Sequence, residues 1–257
     1  MLLAAFVIDS LLVCAVASLA QCMERGDAPY ISELMLLCKR GGHAFVPWLC
    51  LAAFVALIAQ LVWMQSAAKR WRALCLGIER KKPGALFWGL SVASVAGFAL
   101  VVACDWRDAG AAATAGHRAG VALLAFGGFG ALQVVWWTLR GGDAVARVQG
   151  FALSDAALVP WYSWVEVDAL FLVVLAVFMV TTLVGEHKVL SAVCEYVAFA
   201  LLLVQTTWLL VLCEERERVC RVRSVGEGAG VHGMGWALGA LLVAYAFEAL
   251  LVLAVVL

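Results

Sequence analysis

The chain has 257 residues, of which 65% are hydrophobic and 14% charged, with a formal net charge of +0 and a mean hydropathy of +1.00. That composition excludes an ordinary soluble domain, whose surface needs far more charged groups, and the zero charge balance gives no footing for nucleic acid or a strongly acidic partner. A helix needs roughly 20 mostly apolar residues to cross about 30 Å of hydrocarbon, and helices suit the task because they leave no backbone group unpaired in lipid.

Seven stretches meet that length. The first, at 2–20, carries Asp9 in its apolar part and lacks a basic leader, so it reads as a retained helix although Ser18-Leu19-Ala20 resembles a cleavage site. Cys22 and Cys38 follow in the first loop and are candidates for a disulfide in an oxidising compartment. The next spans are 44–65, 85–104 and 119–139. The last of these has a small-residue face at Gly120, Gly127, Gly128 and Gly130, and it closes on Trp136 and Trp137. The fifth span, 165–184, opens beside Trp161, Tyr162 and Trp164 with Glu166 and Asp168, a grouping that reads as an aromatic anchor with solvated charges at the membrane interface. Spans 189–213 and 234–257 complete the set, the last holding Glu248. The expected fold is an all-α polytopic membrane bundle. Residues 1–223 form six helices, and 224–257 supply a short cytosolic linker and a seventh.

Twelve of the 18 Lys and Arg fall in the second, fourth and sixth loops. They are Lys69, Arg70, Arg72, Arg80, Lys81, Lys82, Arg140, Arg147, Arg216, Arg218, Arg221 and Arg223. Cytoplasmic loops carry such an excess, which puts these loops and the N-terminus in the cytosol. Basic surfaces there would attract anionic lipid headgroups, although Glu214, Glu215 and Glu217 dilute the effect. Cys75, Cys213 and Cys220 lie on the same side, in surroundings that suit palmitoylation.

Chemistry points to the opposite side. Glu195 lies about 10 Å into the sixth span, where a carboxyl group is expensive to ionise and faces the protein interior or a wet cavity. It is read either as an acid/base or headgroup ligand, or as a buried interhelical hydrogen-bond partner. His43, His117 and His187 sit at the outer ends of three spans, near Asp27, Glu33, Asp105, Asp108 and Glu186. No two of these histidines share the spacing on one helix that makes a metal site readable, so neither a metal nor a cofactor is expected.

Three patches in order resemble one family. They are Ala28-Pro29-Tyr30-Ile31-Ser32-Glu33 after the first span, the run from His117 to Phe126 at the start of the fourth, and the run from His187 to Tyr196 at the start of the sixth. Together they are similar to the DRAM/Frag/Sfk proteins, the superfamily that includes the N-terminal domain of the yeast cell-wall protein CWH, and most similar to the DRAM branch. The resemblance covers 2–223 and implies a six-helix membrane scaffold serving autophagy and the lysosome, phosphoinositide and lipid-asymmetry control, or GPI-anchor remodelling. It also implies Glu195, His117, His187, Glu33 and Tyr30 as ligand-binding residues, with Glu195 and His117 as the catalytic candidates. The chain departs from the family pattern in a very short fifth loop and in the seventh span.

Two functions from different classes follow. One is a non-enzymatic regulator of endomembrane and lipid homeostasis in the Golgi, lysosome or plasma membrane, with membrane lipids and other membrane proteins as partners. The other is an acyltransferase-like enzyme that remodels GPI-anchor chains at the lumenal leaflet, for which Glu195 and His117 would have to meet within hydrogen-bond reach or one water apart. A seven-helix receptor shares the span count, but the charge bias sets its N-terminus on the wrong side.

Overall fold

The computed structural model describes residues 46–79, 82–104, 110–150, 161–184 and 188–224. Among the described residues every regular element is an α-helix: α1 Val46–Leu76, α2 Ala85–Ala103, α3 Ala111–Val148, α4 Trp161–Val184 and α5 Lys188–Ser224. By length and composition, four stretches can cross a membrane: all of α2, all of α3, Trp164–Thr182 of α4 and Val189–Val222 of α5. The all-helical, membrane-length character therefore holds, with four such helices among the described residues, where the whole sequence led to an expectation of seven. The expected spans 2–20 and 234–257 lie outside the described residues. The second expected span falls in α1, which is helical from Val46 but is not one of the four.

Two helices run well past their apolar stretches. At 1.5 Å per residue, the 38 residues of α3 extend about 57 Å and the 37 of α5 about 55 Å, roughly twice the hydrocarbon thickness. The segments 140–148 and 214–224, expected as the starts of loops, are helix instead. In α5 the continuation Glu214-Glu215-Arg216-Glu217-Arg218 consists of strong helix formers, and Glu217 pairs with Arg221 one turn on at 3.8 Å. In α3 the Gly141-Gly142 pair would ordinarily break a helix. Tertiary packing overrides it, because a Cβ on Gly142 would stand 2.6 Å from the Trp71 ring. Helix α1 stops cleanly at Gly77, whose φ of 62° is the left-handed conformation glycine tolerates. Ile78 N–H donates to Ala73 O at 3.1 Å and Gly77 N–H to Leu74 O at 3.4 Å, which satisfies the orphaned carbonyls.

Packing divides the chain into two compact units interleaved in sequence. The first includes α4 and the opening of α5, up to Gln205. Here Gln205 Nε2 donates to Asp168 Oδ1 at 2.6 Å, and the Thr182 and Ser191 hydroxyls are 2.8 Å apart. Asp168 is half-buried against a fully buried amide and Trp164 is buried, so this grouping departs from the solvated anchor that the sequence led one to expect.

The second unit holds most of α1, all of α2 and α3, and the remainder of α5. Its core contains Met64, Trp71, Phe87, Val135, Trp136, Leu139, Leu209 and Cys213. Helices α2 and α3 meet on the small-residue face. A Cβ on Gly120 would stand 2.8 Å from Gly97 O, and one on Gly127 would stand 2.7 Å from Leu90 O. Ser94 Oγ donates across this contact to Leu124 O at 3.1 Å. The glycines are thus core packing, which brings the backbones together where no hydrophobic force would do so in lipid.

Candidate functional site

The extended, basic end of the second unit buries two opposite charges. Asp143 of α3 and Arg216 of α5 are 4% and 0% exposed, a depth at which neither charge is tolerated alone. Arg216 Nε donates to Asp143 Oδ1 at 2.9 Å, and its Nη2 approaches Oδ2 at 3.4 Å, so the guanidinium meets the carboxylate edge to edge. Trp71 of α1 completes the group. Its Nε1–H donates to the same Oδ1 at 2.8 Å, and the Arg216 guanidinium carbon lies 5.5 Å from its ring centroid. Glu215 flanks Arg216 Nη1 at 3.5 Å. One carboxylate thereby ties the ends of three helices. Gly142 provides the room, since any side chain there would displace the Trp71 indole.

One residue before Trp71 on α1 and one residue after Arg216 on α5, a second pair faces outward. Arg70 Nε donates to Glu217 Oε2 at 2.8 Å, with both side chains partly exposed. Glu217 also faces Arg221 Nε. Beside them opens a groove of about 460 Å³ lined by Arg70, Ala73 and Leu74 of α1, by Gly77 and Ile78 just past its end, and by Glu217, Cys220 and Arg221 of α5. The helical members of each set have helical spacing and therefore occupy a single face of their helix.

The three cysteines expected near this end differ in access. Cys75 and Cys213 are 1% and 0% exposed, which closes them to an acyltransferase, whereas Cys220 is half-buried in the groove. The Cys213 thiol donates to Met64 O at 3.6 Å, and Gln149 Nε2 donates to Cys75 O at 2.8 Å. Farther along the helices Gln65 Nε2 donates to the Thr138 hydroxyl at 3.3 Å, linking α1 to α3 inside the core.

The residues singled out from sequence lie elsewhere. Glu195 is half-buried on α5 in the first unit. His117 is half-buried on α3 in the second, its Nδ1 3.3 Å from Cys104 O. His187, Glu33, Tyr30, Cys22 and Cys38 lie outside the described residues, as do His43, Asp9 and Glu248. Among the described residues no group of three or more His, Cys, Asp and Glu could hold a metal ion.

Sequence reasoning missed Asp143 and treated Arg216 as an orientation charge on a lipid-attracting basic surface, not as a buried partner. A signal was present. Asp143 is the sole acid in α3, and it continues the buried register of Trp136, Leu139 and Ala146 past the point where the apolar run stops.

No protein-family model, curated protein or solved structure matches the chain.

The indole bond can be isolated experimentally. Trp71→Phe keeps a ring over Arg216 and removes the donor to Asp143, and it is expected to cost about 1.5–3 kcal/mol, the range for a hydrogen bond to a charged group. Thermal unfolding in detergent, followed by a thiol-reactive dye on the otherwise buried Cys75 and Cys213, measures it.

Proposed function

We propose that this chain is a multi-pass membrane regulator of endomembrane and lipid homeostasis, allied to the DRAM/Frag/Sfk proteins and acting without bond-making chemistry of its own. Its site of action is a Golgi, lysosomal or plasma membrane, with the N-terminus and the basic helix ends in the cytosol and membrane lipids as its partners. The observation that carries this reading is the basic end itself. Apolar membrane-length helices continue as charged helix, bury one ion pair, and leave a groove lined by arginine and apolar side chains. The Asp143 carboxylate is engaged by an indole and a guanidinium, an arrangement that suits holding helices together better than proton transfer. The three sequence patches add the link to autophagy, lysosomal and phosphoinositide-related roles.

Deleting the gene and profiling lipids by mass spectrometry tests this against the remodelling alternative. The expected result is a shift in phosphoinositide or aminophospholipid levels with the acyl composition of GPI anchors unchanged, restored alike by the wild type, Glu195→Gln and His117→Ala. A shift in GPI acyl composition that neither substituted protein restores, when both express and localise normally, would replace the regulator with an acyl-chain remodelling enzyme.

A further inference from the structure

We infer that the groove between the end of α1 and the end of α5 is a binding site for one anionic phospholipid of the adjoining leaflet, its phosphate held by Arg70 and Arg221 and its proximal acyl carbons laid on Ala73, Leu74 and Ile78. The inference rests on the membrane-regulator reading above and names the lipid class that such a protein would sense.

The lining sorts by chemistry. Arg70 and Arg221 stand on opposite helices, and Glu217 between them faces both through their Nε atoms. Two guanidiniums border the groove, and a monoanionic phosphodiester meets both without bringing the cation that a zwitterionic headgroup carries. Glu217 holds the Arg70 guanidinium by its Nε edge at 2.8 Å, so that plane is oriented before any lipid arrives, and less side-chain freedom is lost on binding.

Apolar groups occupy the rest of the groove. Ala73 and Leu74 of α1 and Ile78 just past its end line the same groove, and Ile78 is half exposed to its surroundings. Gly77 keeps the floor open, since no atom lies within 4 Å of the position its Cβ would take. A volume of about 460 Å³ accommodates a phosphoglycerol head with the first carbons of its chains. An occupant must therefore be apolar along one part and anionic at the other, and an anionic phospholipid meets both conditions where a soluble anion meets one. One wall of the groove is α5, whose apolar stretch is long enough to cross the bilayer, so such a lipid reaches it along that helix without leaving its leaflet.

The test uses the full chain in nanodiscs of phosphatidylcholine doped with phosphatidylglycerol, with the lipids that remain bound on release counted by native mass spectrometry. The wild type is expected to retain phosphatidylglycerol over phosphatidylcholine by roughly tenfold, in line with the attraction of one or two basic groups at an anionic surface. Arg221→Gln and the charge-matched double substitution Arg70→Gln/Glu217→Gln are expected to bring the ratio close to one. Arg218→Gln, which alters an exposed arginine outside the groove lining, is expected to keep it. Equal retention of the two lipids by the wild type, or equal loss of preference in Arg218→Gln, would overturn the site in favour of diffuse attraction. If the double substitution does not fold, Arg221→Gln decides alone, because that side chain is 52% exposed and its replacement leaves the core untouched. Failure here leaves the lipid profile of the deletion strain as a separate test of the broader reading.

Discussion

Asp143→Asn is expected to destabilise the protein by about 3–5 kcal/mol, the cost of breaking a buried ion pair from one side. The guanidinium of Arg216 is 0% exposed, and losing the carboxylate leaves it only the Trp71 ring and the longer, partly exposed contact with Glu215 at 3.5 Å. The substituted amide can still accept the indole N–H, which confines the loss to the ionic part. Replacing both partners separates the two effects. Asp143→Leu/Arg216→Met removes both desolvated charges together and is expected to recover most of the stability lost by the single change, because buried ion pairs commonly match or fall short of well-packed apolar isosteres. The measurement is the unfolding temperature in detergent for the two single variants and the double. A double variant no better than Asp143→Asn would show that the pair contributes beyond mutual neutralisation.

Gly127→Val is expected to be the second severe change, costing upward of about 1–3 kcal/mol as an overpacked core position. The obstacle is backbone. A Cβ there would lie 2.7 Å from Leu90 O and 2.8 Å from Ser94 N, and neither atom can turn aside as a side chain would. Helices α2 and α3 would have to separate along the whole contact, which would also stretch the bond from Ser94 Oγ to Leu124 O. Gly89→Ala serves as the comparison. No atom lies within 4 Å of its added methyl, so it should be neutral or should stabilise α2 by about 0.5–1 kcal/mol through reduced backbone entropy. The same thermal assay reads both, and similar effects at the two positions would remove the close approach as the cause.

The helical, membrane-length character was legible in the apolar runs, and the glycines of α3 announced the close contact with α2. Boundaries on the basic side were not legible, because hydropathy marks where the lipid stops and says nothing about where the helix stops. Residues 140–148 and 214–224 are too polar to register as a span, yet alanine, arginine and glutamate continue a helix readily. Assigning those segments to loops hid the one place where Asp143, Arg216 and Trp71 could meet. Trp136 shows the same limit from the other direction. At 1% exposure it belongs to the core, whereas its neighbour Trp137 is 57% exposed, and composition alone treats the two alike. Glu195 was singled out for its depth in a span and is only half-buried, while Arg216, the most deeply buried charge among the described residues, sits past the expected span 189–213.

The separation of Asp143 from Arg216 in the chain also sets an order of events during biosynthesis. The two residues are 73 positions apart, and ribosomes add about 5–20 residues each second, so the carboxylate emerges some 4–15 s before its guanidinium exists. Throughout that interval Trp71, already made, is the donor available to it from within the group. The nascent α2 and α3 can pack through their glycines early, but the basic end cannot be sealed dry until α5 arrives. Closure of that end is therefore a late step of maturation, and a chain stalled before Arg216 would present an unmatched acid that quality-control machinery could read as unfinished.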